Sequence, residues 1–597
     1  MYKDPNELYQ ACGEDFLAAF GELVKTALPL NNYLEKEPPK QKSGGLKRGR
    51  PTPAQMMVQF VKKRARLLRN EMKTPYASLE ISGRREILPI RGTMFKEWLN
   101  VVYFEETGKP PSKFSLEQAI TTVAGLAALQ GSTENIYLRV AREVARVLVD
   151  LNNDCGEVVE ITPDGWQIIT NPTVNFYRPS HSSTLPRPSQ RKDLTLLRKY
   201  LNTSEEGFVL LSSFLMGTIN GLRPFPILEL RGEQGTAKST TARLIQKLLD
   251  PSKIDIRAEP KDIRDLMIAA EGGYLLSYDN ISYLHSWLSD ALCRLSTGGG
   301  FGTRKLYTDS EEQLFSLARP VILNGIDDVI NRGDLMDRAL IIDLSPIPTD
   351  KRKEEKILWE EFEQDIPSIL GALYDAVAIG LKHLNSVSLK VLPRMADFAK
   401  WIVACEPALP WQPGEFLRVY AENKDEAAVC LIESDDFTSA VRRLIADRKE
   451  WKGTARELKK AIDADVTIDD YIKQSRAWPK NPQNVSHKMK LAAPSFRSMG
   501  IDVIFRTSHG KKRLIVLTMS TKGETTVSAL EEKASQPFES KLTPVPNNEF
   551  GLDDLVEMTD IKIEPKATCP IGPGGGRKIT AEELITVYGG KLIETKN

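Results

Sequence analysis

With 597 residues the chain is too long for a single hydrophobic core, since domains average roughly 150 residues. Its 41% hydrophobic and 27% charged residues are those of a globular protein and exclude a disordered or collagen-like one. The 81 Lys and Arg almost balance the 80 Asp and Glu, leaving a net charge of +1, so a charged partner must be met by local clusters. In chain order, a short amphipathic helix is expected around Leu8–Leu28, followed by a Pro/Gly/Lys-rich stretch over residues 35–55. A basic helical pattern then covers Met56–Lys73. From Lys36 to Lys73 there are twelve basic residues against two acidic ones, Glu37 and Glu71, a block that belongs in solvent or against an anion.

Residues 77–185 mix short alternating runs with helical stretches at Thr93–Phe104 and Leu116–Leu129, the pattern of a small α+β domain. Pro179–Pro188 reads as a linker, and Asp193–Leu222 resumes a helical pattern. Between Phe225 and Leu344 the apolar runs PILEL, YLLSYD, PVILNG and ALIIDL alternate with helices or loops, as in a parallel sheet covered on both faces. Residues 350–450 are helical in pattern. From Trp451 to Thr518, helices precede two strands, VIFRTS and RLIVLT, around the turn HGKK. Beyond Met519 the chain turns polar and rich in Ser, Thr, Pro and Gly, and disorder is expected for most of it. The expected units are therefore 1–75 (helix and basic linker), 76–190 (α+β), 191–349 (α/β core), 350–450 (helical), 451–518 (helices plus strands) and 519–597 (tail).

No apolar run reaches the roughly 18 residues that cross a bilayer, and the start MYKDPNELYQ is not a signal peptide. Cys12, Cys155, Cys293, Cys405, Cys430 and Cys569 show neither CxxC nor Cys/His spacing, which argues against a zinc ribbon or a disulfide framework. The five histidines show no ligand spacing either. A cytoplasmic protein with no membrane partner is expected.

The strongest local signal is LELRGEQGTAKSTTARLIQKLL. A short apolar strand runs into Gly232, Gly235, Thr236, Ala237, Lys238, Ser239 and Thr240, and then into an amphipathic helix. In such a loop the glycines let backbone N–H groups converge on a phosphate and the helix N-terminus adds its positive dipole end. Lys238 reaches the β/γ oxygens, and the Ser239 hydroxyl is placed for Mg²⁺. The spacing departs from GxxxxGK[ST] in one place, where Ala237 replaces the glycine before the lysine. Forty residues on, a second apolar strand ends in Asp279-Asn280, and a carboxylate there holds the metal through water opposite Ser239. A third strand ends in Asn324, placed to orient water and contact the γ-phosphate, unless it only caps the turn before Gly325. Arg332 and Arg338 follow, either as surface ion-pair residues or as charge compensation for the γ-phosphate of a neighbouring subunit. The motif thus implies ATP and Mg²⁺ as ligands.

These elements in this order resemble an AAA+ ATPase, and more closely the superfamily 3 helicases and the primase–helicases of phages and plasmids. The resemblance covers about 120 residues (226–344). It implies an α/β P-loop NTPase fold with Lys238, Ser239 and Asp279 binding Mg-ATP, Asn324 as sensor, and Arg338 as a finger acting across the interface of a homo-oligomer, a hexamer being favoured. It also implies that the insertion around Thr297–Thr308 forms a β-hairpin in the ring channel. Arg304, Lys305 and Tyr307 would there meet single-stranded DNA through phosphate contacts and stacking. The acidic Asp309, Glu311 and Glu312 that follow depart from that chemistry. So does Asn280, where many family members carry an acid that activates water; Glu233 or Glu271 would have to serve instead.

Two flanking features fit DNA. Lys473–Arg513 contains ten basic residues and one acidic residue, Asp502, in a pattern that resembles the winged-helix modules behind phage-type primase–helicases. That resemblance sets Ser486, His487, Lys488 and Lys490 toward the major groove of duplex DNA, and Lys511, Lys512 and Arg513 against phosphate in the wing. The bland alternative is a basic module that packs on the core without touching DNA. Lys47–Pro51 is similar to an AT-hook core, although a plain basic linker explains it as simply. The leading expectation is an ATP-driven DNA helicase or translocase of a phage- or plasmid-like replication system. The alternatives are a DNA-bound ATPase switch (initiator or defence protein) without processive unwinding, and a P-loop kinase or metabolic NTPase.

Overall fold

The computed structural model describes residues 51–304, 312–325, 329–330, 332–507 and 512–519. The expected Leu8–Leu28 helix, residues 47–50 of the basic stretch, and the tail beyond Met519 lie outside them. The first helix, α1 (Pro53–Arg64), starts at a capping box between Thr52 and Gln55, which satisfies backbone donors at its N-terminus. It stops nine residues short of Lys73, because Ala65–Arg69 forms strand β1 instead. The run ARLLR has good helix formers, but antiparallel pairing of Ala65 with Leu79 and Leu68 with Tyr76 overrides their propensity.

Strands β2 (Pro75–Ile81), β3 (Arg84–Pro89) and β4 (Ser132–Thr133) complete a sheet of order β3-β2-β1-β4. Helices α2 (Thr93–Thr107) and α3 (Lys113–Gln130) join α1 in a core of Met57, Val61, Leu79, Leu88, Phe95, Leu99 and Val123. After β5 (Ile136–Tyr137) the chain builds an antiparallel sheet from β6 (Val140–Arg142), β7 (Val147–Asp150), β8 (Glu157–Thr162) and β9 (Gly165–Thr170). Strand β10 (Asn175–Phe176) then pairs back onto β5. Arg178 makes a bidentate contact with Asp150, at 2.8 Å for both bonds, and donates to the Arg85 carbonyl at 3.0 Å, which ties the two sheets together.

Helix α4 (Glu205–Asn220) leads into the central unit. Its elements are β11 (Ile227–Arg231), α5 (Lys238–Leu249), α6 (Ile263–Gly272), β12 (Leu276–Ile281), α7 (Ser286–Thr297), β13 (Gly300–Arg304), β14 (Glu312–Ser316), β15 (Val321–Gly325), α8 (Gly333–Met336) and β16 (Ala339–Asp343). The four core strands are all parallel, in the order β12-β15-β11-β16. Alternation along them splits the apolar residues between two cores. Leu228, Leu230, Ile322, Leu340 and Ile342 face α4, α5 and the helices beyond residue 350, whereas Ile227, Leu276, Val321, Leu323 and Ile341 face α6, α7 and α8.

The helical stretch consists of α9 (Glu355–His383), α10 (Ala396–Cys405), α11 (Glu415–Glu433) and α12 (Asp436–Arg448). The C-terminal module adds β17 (Glu450–Thr454), α13 (Ala455–Asp463), α14 (Asp470–Gln474), α15 (Pro482–Ser498), β18 (Ile501–Thr507) and β19 (Arg513–Met519). Its sheet has three strands, β17-β19-β18, rather than the two read from sequence. The extra strand, Glu-Trp-Lys-Gly-Thr, alternates in burial, but the buried positions are Trp451 and Gly453, and a single apolar side chain is too weak a signal to show as a strand in sequence. Among the described residues no helix is long and apolar enough to cross a membrane.

One buried ion pair joins the β6–β9 module to the central unit. Arg139, 1% exposed, donates to Asp250 at 3.0 Å, to the Asp150 carbonyl at 2.9 Å and to Ser182 Oγ at 2.8 Å. Asp250 caps the C-terminus of α5 and also accepts from the backbone N–H groups of Tyr274 and Leu275, just before β12. Arg139→Ala leaves this carboxylate buried without its cation, and a loss of roughly 3–5 kcal/mol in unfolding free energy is expected by chemical denaturation. The double variant Arg139→Met/Asp250→Asn should lose less than the sum of the two single changes.

Candidate functional site

At the carboxyl end of β11 the chain turns through Gly232–Ala237 into α5. Gly232 has φ 142°, and a Cβ there would lie 2.6 Å from the Leu344 carbonyl oxygen, so a side chain does not fit. Ala237, the N-cap of α5, has φ 65° and ψ 28°. This left-handed conformation is the one in which glycine would be free and alanine is strained. No side chain caps α5, so its first-turn N–H groups and positive dipole end are available to an anion. Lys238 Nζ donates to the Gly232 carbonyl at 2.6 Å and the Glu233 carbonyl at 2.8 Å, placing its ammonium across the loop.

The strand order brings the second and third elements to this loop. β15 lies between β11 and β12, with Leu230 opposite Asn324 and Tyr278 opposite Leu323. Ser239 Oγ donates to Asp279 Oδ1 at 3.1 Å, and Asn324 Nδ2 approaches the same hydroxyl oxygen at 3.4 Å. Lys238, Ser239, Asp279 and Asn324 are thus gathered at one end of the sheet. Asn324 is 2% exposed, and its amide faces the Ser239 hydroxyl. Asp279 and Asn280 lie in a bulge between Tyr278 and Ile281, and Asn280 has φ 57°. Asparagine tolerates this conformation, and the Asn280 N–H donates to Asp279 Oδ1 at 2.9 Å.

The two substitute carboxylates are placed differently. Glu233 is exposed in the loop itself. Glu271 lies in the last turn of α6, before β12 begins, at the opposite end of the strand from Asp279. Arg338 is also at that opposite end. Its carbonyl accepts from Ile227 N–H at the start of β11, five strand residues or about 15 Å from the loop of its own chain. Its guanidinium donates to the Asp334 carbonyl at 2.5 Å. Arg332 pairs with Asp290 at 3.0 Å.

Glu229 is a site residue that the sequence reading passed over. Fully buried in the central strand, it accepts from Val329 N–H at 2.8 Å and Ile330 N–H at 3.1 Å, and pairs with Arg231 at 3.1 Å. It therefore anchors the return of the chain after the Asn324 strand. Burial pushes its carboxyl above the usual range, and these donors oppose that shift. The available signal was an acid inside an otherwise apolar run, Pro-Ile-Leu-Glu-Leu.

The insertion after α7 is a β-hairpin, with Gly300 paired to Ser316 and Arg304 to Glu312. Lys305 and Tyr307 lie outside the described residues, as does Lys511. In the C-terminal module His487, Lys490, Lys512 and Arg513 are exposed and Ser486 is half-buried. Lys490 Nζ stands 5.9 Å from the Phe505 ring. Lys488 turns inward instead. It pairs with Asp435, at the start of α12, at 2.5 Å and donates to the Ala477 carbonyl at 2.8 Å, so its charge ties the module to the helical stretch before it.

Residues 192–418 match the family model described as actinomycete integrative conjugative element replication protein, and residues 437–535 match the AICE RepA C-terminal domain. Over both stretches the chain resembles a conjugative-element replication protein. The first stretch contains the parallel sheet and the whole Lys238–Asp279–Asn324 cluster; the second contains the three-stranded module. No curated protein matches the chain. Among solved structures, the apo C-terminal region of NrS-1 aligns over 78% of this chain and 99% of that one, at 9% identity and a TM-score of 0.35. JCV helicase with a bound acetamide compound aligns over 38% of this chain and 66% of that one, at 9% identity and a TM-score of 0.19.

The strain at Ala237 is testable. Ala237→Gly should raise stability by up to roughly 1 kcal/mol in thermal unfolding. Ala237→Val, β-branched at a positive φ, should lower it, and a neutral result for both would mean that the loop does not hold this conformation.

Proposed function

We propose that the protein is an ATPase acting in the replication of a mobile conjugative element, with DNA as its track. The convergence of Lys238, Asp279 and Asn324 around Ser239, in front of an uncapped helix N-terminus, carries this reading. The match to conjugative-element replication proteins supports the biological setting.

In this reading the α5 N–H groups and Lys238 bind the β- and γ-phosphates, and Lys238 exchanges its two carbonyl partners for phosphate oxygens. The Ser239 hydroxyl and the Asp279 carboxylate are hard oxygen donors 3.1 Å apart, a pair suited to Mg²⁺ held partly through water. A bound Mg²⁺ would screen the charge that builds on the phosphate oxygens. Asn324 orients water beside the γ-phosphate. Arg338 lies too far along its strand to reach the loop of its own chain, so it serves the site of a neighbour in a ring, for which a hexamer is the favoured assembly. Arg304, Lys305 and Tyr307, from the insertion after α7, meet single-stranded DNA in the channel through phosphate contacts and stacking. The C-terminal module, a winged-helix-like unit, meets duplex DNA through His487, Lys490, Lys512 and Arg513.

A second reading has a specific observation behind it. Asn280 cannot take a proton, and Glu271 is at the wrong end of β12, which leaves the exposed Glu233 in the loop as a weakly placed substitute. Slow turnover follows, as in a switch that uses ATP to assemble on DNA without processive unwinding.

ATP turnover measured with and without single-stranded DNA at low salt tests the site. Turnover should rise with DNA and fall on the order of 100-fold in Lys238→Ala, and unchanged turnover in that variant would remove the nucleotide site. Strand displacement on a forked duplex then divides a motor from a switch. For duplex DNA, Lys490→Ala and Arg513→Ala should each weaken binding and lower the salt slope by about one. Lys488→Ala should cost stability and leave that slope unchanged. A reversed pattern would show that α15 presents a different face to DNA.

A further inference from the structure

Strand β16 is an edge of the parallel sheet, and edge strands carry unpaired backbone groups that need a cover. Helix α11 provides it with two consecutive side chains. Asn423 Oδ1 accepts from Ile341 N–H at 3.1 Å, and Asn423 Nδ2 donates to the Ile341 carbonyl at 2.7 Å, so one amide stands in for a neighbouring strand. Lys424 Nζ donates to the Met336 carbonyl at 2.7 Å and to the Ala339 carbonyl.

Those two carbonyls bracket a two-residue turn, and the turn is Asp337-Arg338. Lys424 thus holds both sides of the segment from which the Arg338 guanidinium leaves the backbone. Asp337 of the same turn faces Lys424, Arg394 and Arg338, and Arg394 lies 3.8 Å from its carboxylate. Burial pulls the Lys424 ammonium down to about 7, with Asp337 opposing that shift. A lysine nitrogen aimed at two backbone oxygens on either side of the turn, with the Asp337 carboxylate alongside, fixes the path of that turn. Asn423 already covers the strand edge at Ile341, whereas Lys424 joins the last residue of α8 to the first residue of β16 across the turn.

We infer that Lys424 is the positioning residue for Arg338, setting the direction in which the guanidinium is presented to a neighbouring subunit. The inference rests on the reading that Arg338 works in trans. It names a residue on another helix, 86 positions later in sequence, on which that work depends.

The test is complementation between full-length variants. Lys424→Met should bind ATP with unchanged affinity, measured with a fluorescent ATP analogue, while turnover falls on the order of 100-fold from misplacement of the arginine. Mixed with Lys238→Ala, which has a defective loop but an intact Arg338, it should regain turnover, because its own loop then meets a correctly presented arginine. Arg338→Ala mixed with Lys238→Ala is the control and should recover in the same way. Recovery of the control without recovery of Lys424→Met would overturn the inference and leave the trans arginine standing. Failure of both mixtures would overturn the trans reading and the inference with it. If Lys424→Met does not fold, Lys424→Gln, which keeps a donor for one carbonyl, is measured in the same mixtures and judged by the same outcomes.

Discussion

The hydrogen bond from Ser239 to Asp279 depends on the order of three strands. Side chains at residues 239, 279 and 324 come from separate stretches of chain, and they meet only because β15 is inserted between β11 and β12 with all three parallel. In a parallel sheet every strand ends at the same edge, so residues at the carboxyl ends of different strands share one crevice. A shift of one residue in the β11–β15 register would turn Asn324 to the other face and remove it from the Ser239 hydroxyl. Glu229 opposes such a shift. Its carboxylate takes two backbone N–H groups from the segment after β15 while its own backbone lies in β11, so the neighbouring strands are tied by a side chain as well as by their ladder.

The far end of α5 is held just as firmly, by groups outside the parallel sheet. Asp250 closes the C-terminus of the helix whose N-terminus forms the loop, and it also takes the N–H groups that lead into the Asp279 strand. Arg139, from the preceding antiparallel module, satisfies that carboxylate. The two elements that carry Ser239 and Asp279 therefore share one anchor at the end opposite the site. That gives the antiparallel module a positioning role in the central unit. A length of chain with no chemical motif of its own can contribute in this way, through one buried ion pair and its hydrogen bonds.

Much of this could be read from sequence where the signal was local. The strand–loop–helix around Gly232–Thr240 and the four apolar runs of the central sheet are short-range patterns, and each appears as an element within a few residues of its expected bounds. What escaped was non-local. Ala65–Arg69 has the composition of a helix and becomes a strand because Pro75–Ile81 is there to pair with it. Glu450–Thr454 joins a sheet whose other strands are about 50 residues away in sequence. Lys488 sits in a basic run that reads as a DNA contact, yet its ammonium finds Asp435, the N-cap of α12 more than 50 residues earlier. Glu229, Asn423 and Lys424 belong to no spacing pattern, since each acts on backbone groups some 80 to 100 positions away.

Asn423 and Lys424 also lie on the helix that connects the C-terminal module to the sheet. α11 holds the Asp337–Arg338 turn with its first half and packs against α15 of the C-terminal module, while α8, just before the turn, touches α15 as well. The backbone of α15 at Leu491 lies next to Gly333 at the start of α8. The helix whose outer face carries His487 and Lys490 is therefore in direct contact with the segment that carries Arg338, with no flexible linker between them. Close-packed helices transmit displacement because their interfaces do not compress. A displacement of α15 must therefore either slide over α8 and α11 or move them, and Lys424 bonds both ends of the turn that follows α8.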